Sequence, residues 1–392
     1  MPNITAAQPA APARAYPAST LPPPSGGRSA SMELLRILSM GMIVLLHALT
    51  HGGAAAAARP FSSDWFFLYA LEGLCYVSVN CYVLLSGYFL VKSHFRLQKL
   101  AALALQILFY SIATFLFFYL RDEALPDAGT MRNTLLPVFS GAYWFVSVYV
   151  ALYLLSPMLN RLVHAMNRAQ HARCCIAFLL ISSVWNTLAP FSTAAGTGGG
   201  TGLAWFLCLY LAAAWMRLYG VRRLGWRWLA LYAVLALVAP AWKLAASANN
   251  WPRPDGLFLY DSIPVALASL ALFAWFVGLP QPRGMLRQAA LEAAPLTFGV
   301  YLLHDNPLVR WYLWQKAALP QYVDGYHGVL RVLVASAGVF FACLAAEWVR
   351  STLMRPLVNS RALARLCAAA QDALCRACAA LERACAGRER PE

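Results

Sequence analysis

Apolar runs recur from Met32 almost to the end of the chain, each close to the ~20 residues that cross a bilayer core at about 1.5 Å per residue. They predict ten spanning helices, roughly Met32–Gly52, Trp65–Val91, Leu100–Leu120, Tyr143–Val163, Cys174–Phe191, Leu203–Leu218, Trp228–Ala246, Leu257–Leu279, Ala293–Trp314 and Gly328–Val349. Residues 1–30 are punctuated by Pro, Ala and Ser instead of an apolar run. They read as a disordered cytoplasmic tail and not as a secretory signal peptide. Residues 31–355 form the transmembrane domain. After Pro356, Leu363, Leu366, Cys367, Ala370, Leu374, Ala377, Cys378 and Leu381 make one apolar stripe at helical spacing, flanked by Arg361, Arg365 and Arg376. Residues 356–392 therefore read as a cytoplasmic amphipathic helix, either interfacial or self-associating, which leaves room for a homo-oligomer. The fold class is all-α and polytopic.

Composition sharpens this picture. Sixty per cent of the 392 residues are hydrophobic and 12% are charged, against about 25% charged in a soluble domain. A soluble fold with so few charges could not cover its surface. The net charge of +15 would suggest nucleic acid in a soluble protein. Here it reads as basic loops set against an anionic leaflet. With the N-terminus inside, the inner loops hold Lys92, Arg96, Lys99, Arg161, Arg168, Arg173, Arg217, Arg222, Arg223, Arg227, Arg283 and Arg287. The outer loops and helix ends hold fewer cations and most of the acids, including Asp64, Asp122, Glu123, Asp127, Asp255 and Asp324. The bias predicts both termini cytoplasmic. The ten Cys lack paired metal-ligand spacing, so no metal is expected. Gly198–Gly202 lacks the Lys and the strand context of a phosphate loop.

Ionisable groups inside spanning segments are expensive and point to function. The first segment carries Glu33, Arg36, His47 and His51. Arg36 and His47 are eleven residues apart, which is three turns plus about 20°, so they share one stripe roughly 16 Å apart along the axis. Glu33 lies one turn before Arg36 and can pair with it. Acyl transfer fits this pair: an imidazole takes the proton of an attacking alcohol, and a buried guanidinium holds the phosphates of coenzyme A.

Glu33-Leu-Leu-Arg36, ten further residues and His47 resemble the first-helix motif of the membrane acyltransferase type 3 family. That motif has Arg or Lys, ten intervening residues and an essential His. Three further stretches are similar to the same family in the same order: Val79–Leu90 with its Ser86-Gly87, Tyr143–Asn160, and Phe298–Pro307 with its His304. The resemblance implies a membrane O-acyltransferase, usually an O-acetyltransferase, of the bacterial cytoplasmic membrane. It implies acetyl-CoA or another acyl-CoA as donor, a cell-surface or lipid-linked glycan as acceptor, and His47 and Arg36 as functional residues. Glu33-Leu34 departs from the commoner Asp-Gly-Leu-Arg form, which leaves the acceptor open.

Other residues carry two readings each. His304 with Asp305 and Pro307 either lines a catalytic cavity or marks a satisfied kink. Glu72 either orients His47, as carboxylates do in acyl-transfer triads, or pairs with an outer Arg. Asn80 bonds across helices or touches substrate. Trp144 belongs to an aromatic belt with Tyr143 and Tyr149, or stacks on a sugar. Arg161 serves topology or the phosphates of coenzyme A. Ser86 reads as close helix packing and not as a nucleophile. The rival to an enzyme is a polytopic glycan or acyl-group transporter, which buried charges suit equally.

Overall fold

The computed structural model describes residues 28–123, 126–189 and 196–386, with side chains to residue 380. Of the tail expected to be disordered, residues 1–30, residues 1–27 lie outside that range. Every regular element among the described residues is helical, and seven helices are long and apolar enough to cross a membrane. These are α1 (Ala30–Leu49), α2 (Ser63–Leu90), α3 (Leu97–Tyr119), α4 (Trp144–Ala165), α5 (Arg168–Leu188), α7 (Trp226–Ala248) and α12 (Gly328–Val358). Two shorter apolar helices, α6 (Leu203–Tyr219) and α8 (Ile263–Gly278), match the sixth and eighth expected segments.

The ninth expected segment is not one rod. It is a chain of three pieces: α9 (Gly284–Ala293), α10 (Thr297–His304) and α11 (Pro307–Ala317). Pro307 has no N–H to continue the ladder of α10. It sits instead at the first turn of α11, and the Asn306 side chain caps that turn by accepting from the Leu308 N–H at 3.0 Å. The break leaves His304, Asp305 and Asn306 buried in the bundle. Irregular backbone at membrane depth persists only where protein satisfies it. Here Asn306 Nδ2 donates to the Tyr143 hydroxyl at 2.6 Å, and that hydroxyl donates to the Leu302 carbonyl at 2.9 Å.

Burial sorts the helices into an inner and an outer set. α1, α2, α6, α8 and α10 supply most of the buried core, including Leu35, Val44, Leu84, Trp205, Tyr210, Phe273 and Leu302. The other spans carry exposed Leu116, Phe117, Leu154, Met158, Trp185, Val234, Phe341 and Leu353, a surface suited to lipid. One polar knot ties the inner and outer sets together. Glu347 on α12 accepts from Arg350 through two bonds of 2.7 Å, from the Tyr110 hydroxyl at 2.6 Å and from Gln106 at 3.0 Å. Gly299 on α10 lies so close that a Cβ there would overlap the Glu347 carboxylate.

Two boundaries differ from expectation. Pro356 lies inside α12, which continues to Val358, so the tail helix α13 (Arg361–Ala386) starts after Asn359–Ser360. α13 folds back on the start of α3, where the Leu97 N–H donates to Gln371 Oε1 at 2.9 Å. Cys367 is buried, while Leu366, Leu374 and the thiols of Cys375 and Cys378 stay exposed.

A polar clamp closes the loop before α12. Asp324 accepts from the Ser62 hydroxyl at 2.5 Å and from the Arg59 N–H at 2.6 Å. The hydroxyl first, then that N–H, hold its carboxyl below the usual carboxylate range. A carboxyl lowered by folding adds stability above its unfolded value, about 3.9, and that addition is lost as pH falls through the lower folded value. Asp324→Asn should therefore flatten the acid side of the thermal-midpoint curve below about pH 4, read by calorimetry in detergent. Equal acid slopes in both proteins would remove Asp324 from this account. Gly299→Val should overpack the Glu347 knot and destabilise the protein by about 1–3 kcal/mol, seen as a lower midpoint in the same measurement.

Candidate active site

Two elements that are distant in sequence meet at the chain break. His47 is in the last turn of α1, and His304 ends α10. Their rings face each other, with His47 Nδ1 3.0 Å from His304 Nε2. His47 Nδ1 also lies 3.4 Å from Asp305 Oδ1. Asp305 is buried, and its Oδ1 is held by Arg310 Nε at 2.7 Å. Arg310 also donates to the Asp305 carbonyl at 3.3 Å. Helix geometry explains the grouping: α10 must end before Pro307, and α11 then returns Arg310 over the break.

The hydrogen bonds fix which nitrogen carries each proton. His304 Nδ1 is 2.6 Å from the Val300 carbonyl oxygen, which only accepts. His304 Nδ1 is therefore the N–H, and in the neutral ring Nε2 is an acceptor. His47 Nδ1, 3.0 Å away, must then be the donor. In the neutral ring His47 Nε2 then carries the lone pair, and it has no hydrogen-bond partner among the described residues. This is the arrangement of a general base whose tautomer is set by a partner behind it.

His47, His51 and Asp305 also bring ligand atoms within 4.8 Å of one another, close enough for a metal ion. The Asp305 oxygen already faces the Arg310 guanidinium, and a second cation there is opposed by the first. The donor set fits an ion-paired imidazole network better than a metal centre.

Three hollows line up along α1. The first, about 450 Å³, is lined by Arg36, Lys99, Arg350, Tyr82, Tyr149 and Tyr153 among others. The second is a slot of about 20 Å³ whose walls include His47, Trp144, Tyr260 and Tyr301. Tyr82, Phe145 and Phe298 line both, so these three side chains form the partition between the slot and the larger cavity. The Tyr82 hydroxyl is pinned to Thr297 at 2.5 Å in that partition. The third hollow, about 590 Å³, opens on the far side and is lined by His51, Trp311, Trp314, Gln315 and Gln321. The rings of His51 and His47 are 4.9 Å apart, so this hollow adjoins the same imidazole.

The structure brings together most, though not all, of the residues singled out in the sequence. Arg36 lines the first cavity and pairs with Glu33 at 3.1 Å, while Glu33 also meets Arg28 at 3.0 Å. Trp144 lines the slot, stacked on Tyr260 with ring centroids 6.2 Å apart. Asn80 is fully buried and spent on structure. It donates to the Tyr260 carbonyl at 2.7 Å and to Ser269 at 3.0 Å, and accepts from the Trp205 indole at 2.9 Å. Its contribution is to hold Tyr260 in the slot wall. Gly200 supports the same turn: it has φ +90°, and a Cβ there would strike Tyr260.

Glu72 is not at the imidazole. Its charged neighbours are Asp255 and Lys243, and Lys243 pairs with Asp255 and lies 4.2 Å from the Tyr69 ring centroid. The carboxylate beside His47 is Asp305 instead, because the chain break delivers it there. Arg161 is exposed and does not line the first cavity; Lys99 and Arg350 supply its further cations. Ser86 Oγ donates to the Tyr82 carbonyl at 3.0 Å, a helix-internal bond. Sequence reading passed over Arg310 and Tyr301. In sequence Arg310 reads as one more cation at an outer helix end, although its place five residues after Asp305, just past a proline, is the available signal.

A family model described as an acyltransferase domain, that of the type 3 acyltransferases, matches residues 29–348. No curated protein and no solved structure matches the chain.

The tautomer assignment is directly measurable. In protein labelled with ¹⁵N at histidine, long-range proton–nitrogen correlations should show both His47 and His304 protonated at Nδ1. A proton on His47 Nε2 would overturn the assignment.

Proposed function

Because the chain belongs to the acyltransferase type 3 family, we propose that it transfers an acyl group, normally acetyl, from acyl-CoA to a hydroxyl of a cell-surface or lipid-linked glycan. His47 is the general base. The observation that carries this reading is the fixing of His47 Nδ1 as a donor by its His304 and Asp305 contacts, which leaves Nε2 unpartnered, beside a slot that shares a wall with a cation-lined cavity.

The donor enters from the Arg36 end. A guanidinium has five N–H donors, and Glu33 engages Arg36 through Nη1. The others are available to the phosphates of the nucleotide portion, with Lys99 and Arg350 nearby. The roughly 16 Å from Arg36 to His47 suits an extended pantetheine arm that brings its thioester toward His47. The acceptor approaches from the hollow beyond His47. Trp311 and Trp314 offer ring faces to a sugar and Gln315 and Gln321 offer amides to its hydroxyls. His47 Nε2 takes the hydroxyl proton as the oxygen attacks the thioester carbon, and it returns that proton to the departing thiolate. Under this reading the Arg36 end and both termini are cytoplasmic, in a bacterial inner membrane. A transporter draws support from the broken helix α10–α11. Release of free thiol from acyl-CoA, dependent on the acceptor, separates the two.

His47→Ala, at wild-type protein level, should lower transfer by about 10²–10⁴-fold, read by mass spectrometry of surface polysaccharide from deletion and complemented strains. Unchanged acylation would remove His47 from the chemistry. Arg36→Ala should raise the acyl-CoA Kd about tenfold or more, as loss of a charge-assisted contact of about 1.5–3 kcal/mol implies. Arg28 still meets Glu33 in that variant, so the fold survives, and an unaltered Kd by calorimetry would count against the donor site.

A further inference from the structure

We infer that Tyr301 is a catalytic residue that supplies the hydrogen bond to the oxyanion of the acyl-transfer step; this rests on the reading of the site given above. Tyr301 lies on α10 one turn before His304, in the wall of the slot that also holds His47. Its ring packs between Phe145, at 5.8 Å, and the Tyr143 ring, at 6.0 Å, and is 6.3 Å from that of His304. Its hydroxyl is buried and has no hydrogen-bond partner among the described residues. The contact with the His304 ring, which itself meets His47, places Tyr301 at the His47 end of the slot.

An unpaired buried hydroxyl costs about 1–3 kcal/mol. Such a group persists where something absent from the resting protein accepts its hydrogen bond. The neighbouring phenols differ in this respect. Tyr143 donates to Leu302, Tyr82 is paired with Thr297, and only the Tyr301 hydroxyl among these three is unpaired. The chemistry names the missing acceptor. When the sugar oxygen bonds to the thioester carbon, the carbonyl π pair moves onto oxygen, and the proton from the sugar goes to His47 Nε2. The negative oxygen needs a donor in a dry site until the C=O bond re-forms and the C–S bond breaks. The thiolate then leaves and is protonated by the His47 imidazolium. The Tyr301 O–H meets that oxygen and keeps its own proton throughout. Such a contact strengthens as charge develops, so it lowers the barrier without tightening substrate binding.

The test is Tyr301→Phe in the full-length protein, assayed in detergent or liposomes with acetyl-CoA and the native surface glycan. The expected result is a fall in kcat of about 10²–10³-fold, with both KM values within about twofold and a thermal midpoint equal to or above that of wild type, because an unpaired hydroxyl has been removed. A purely structural phenol predicts the reverse: a lowered midpoint and near-normal kcat in the folded fraction. A kcat within about threefold of wild type, beside an inactive His47→Ala, overturns the role of Tyr301 and leaves the acyltransferase reading standing. Full activity in His47→Ala overturns that reading, and the role of Tyr301 falls with it.

Discussion

A single contact organises the site: the Val300 carbonyl accepts a hydrogen bond from the His304 Nδ1–H. Because a carbonyl only accepts, this local bond inside α10 decides the state of a ring on another helix. His304 presents a lone pair to His47, His47 must answer with its own Nδ1–H, and the reactive lone pair is left on the opposite nitrogen. In an apolar interior each polar group needs a partner, so the orientation is enforced by the surroundings.

The same constraint explains Asp305. A carboxylate buried in a membrane protein requires compensation, and Arg310 supplies it at 2.7 Å. The pair exists because Pro307 ends α10 and the Asn306 cap starts α11 in a new direction. Tyr143 and Asn306 satisfy what the break exposes. Helix α10 is further seated against α12 through the contact of Gly299 with Glu347, so the knot around Glu347 supports the residues that hold His47 without taking part in their chemistry.

The hollows give this network a direction. A cavity with three cations lies on one side of His47, and an aromatic and amide-lined hollow lies on the other. Tyr82, Phe145 and Phe298 separate the cavity from the slot beside His47. The slot beside His47 has room for about one water molecule.

The sequence by itself determined the helical class, the membrane setting and the common stripe of Arg36 and His47. These follow from local periodicity and from the cost of placing charge in hydrocarbon, which act along one helix. It also marked His304 and Asp305 as polar residues at a proline. What it could not supply was which carboxylate reaches His47. Glu72 was the carboxylate expected to orient His47, and only the turn at Pro307 put Asp305 against the ring instead, while Glu72 has Asp255 and Lys243 as its charged neighbours. Asn80 was likewise ambiguous until three partners on α6, α8 and the preceding turn consumed it. Pairings between helices depend on how rods pack across the bundle, and chain order does not encode that packing in any short pattern. The protonation pattern of the two imidazoles, and the hydroxyl of Tyr301 left without a partner, exist only once those rods are assembled.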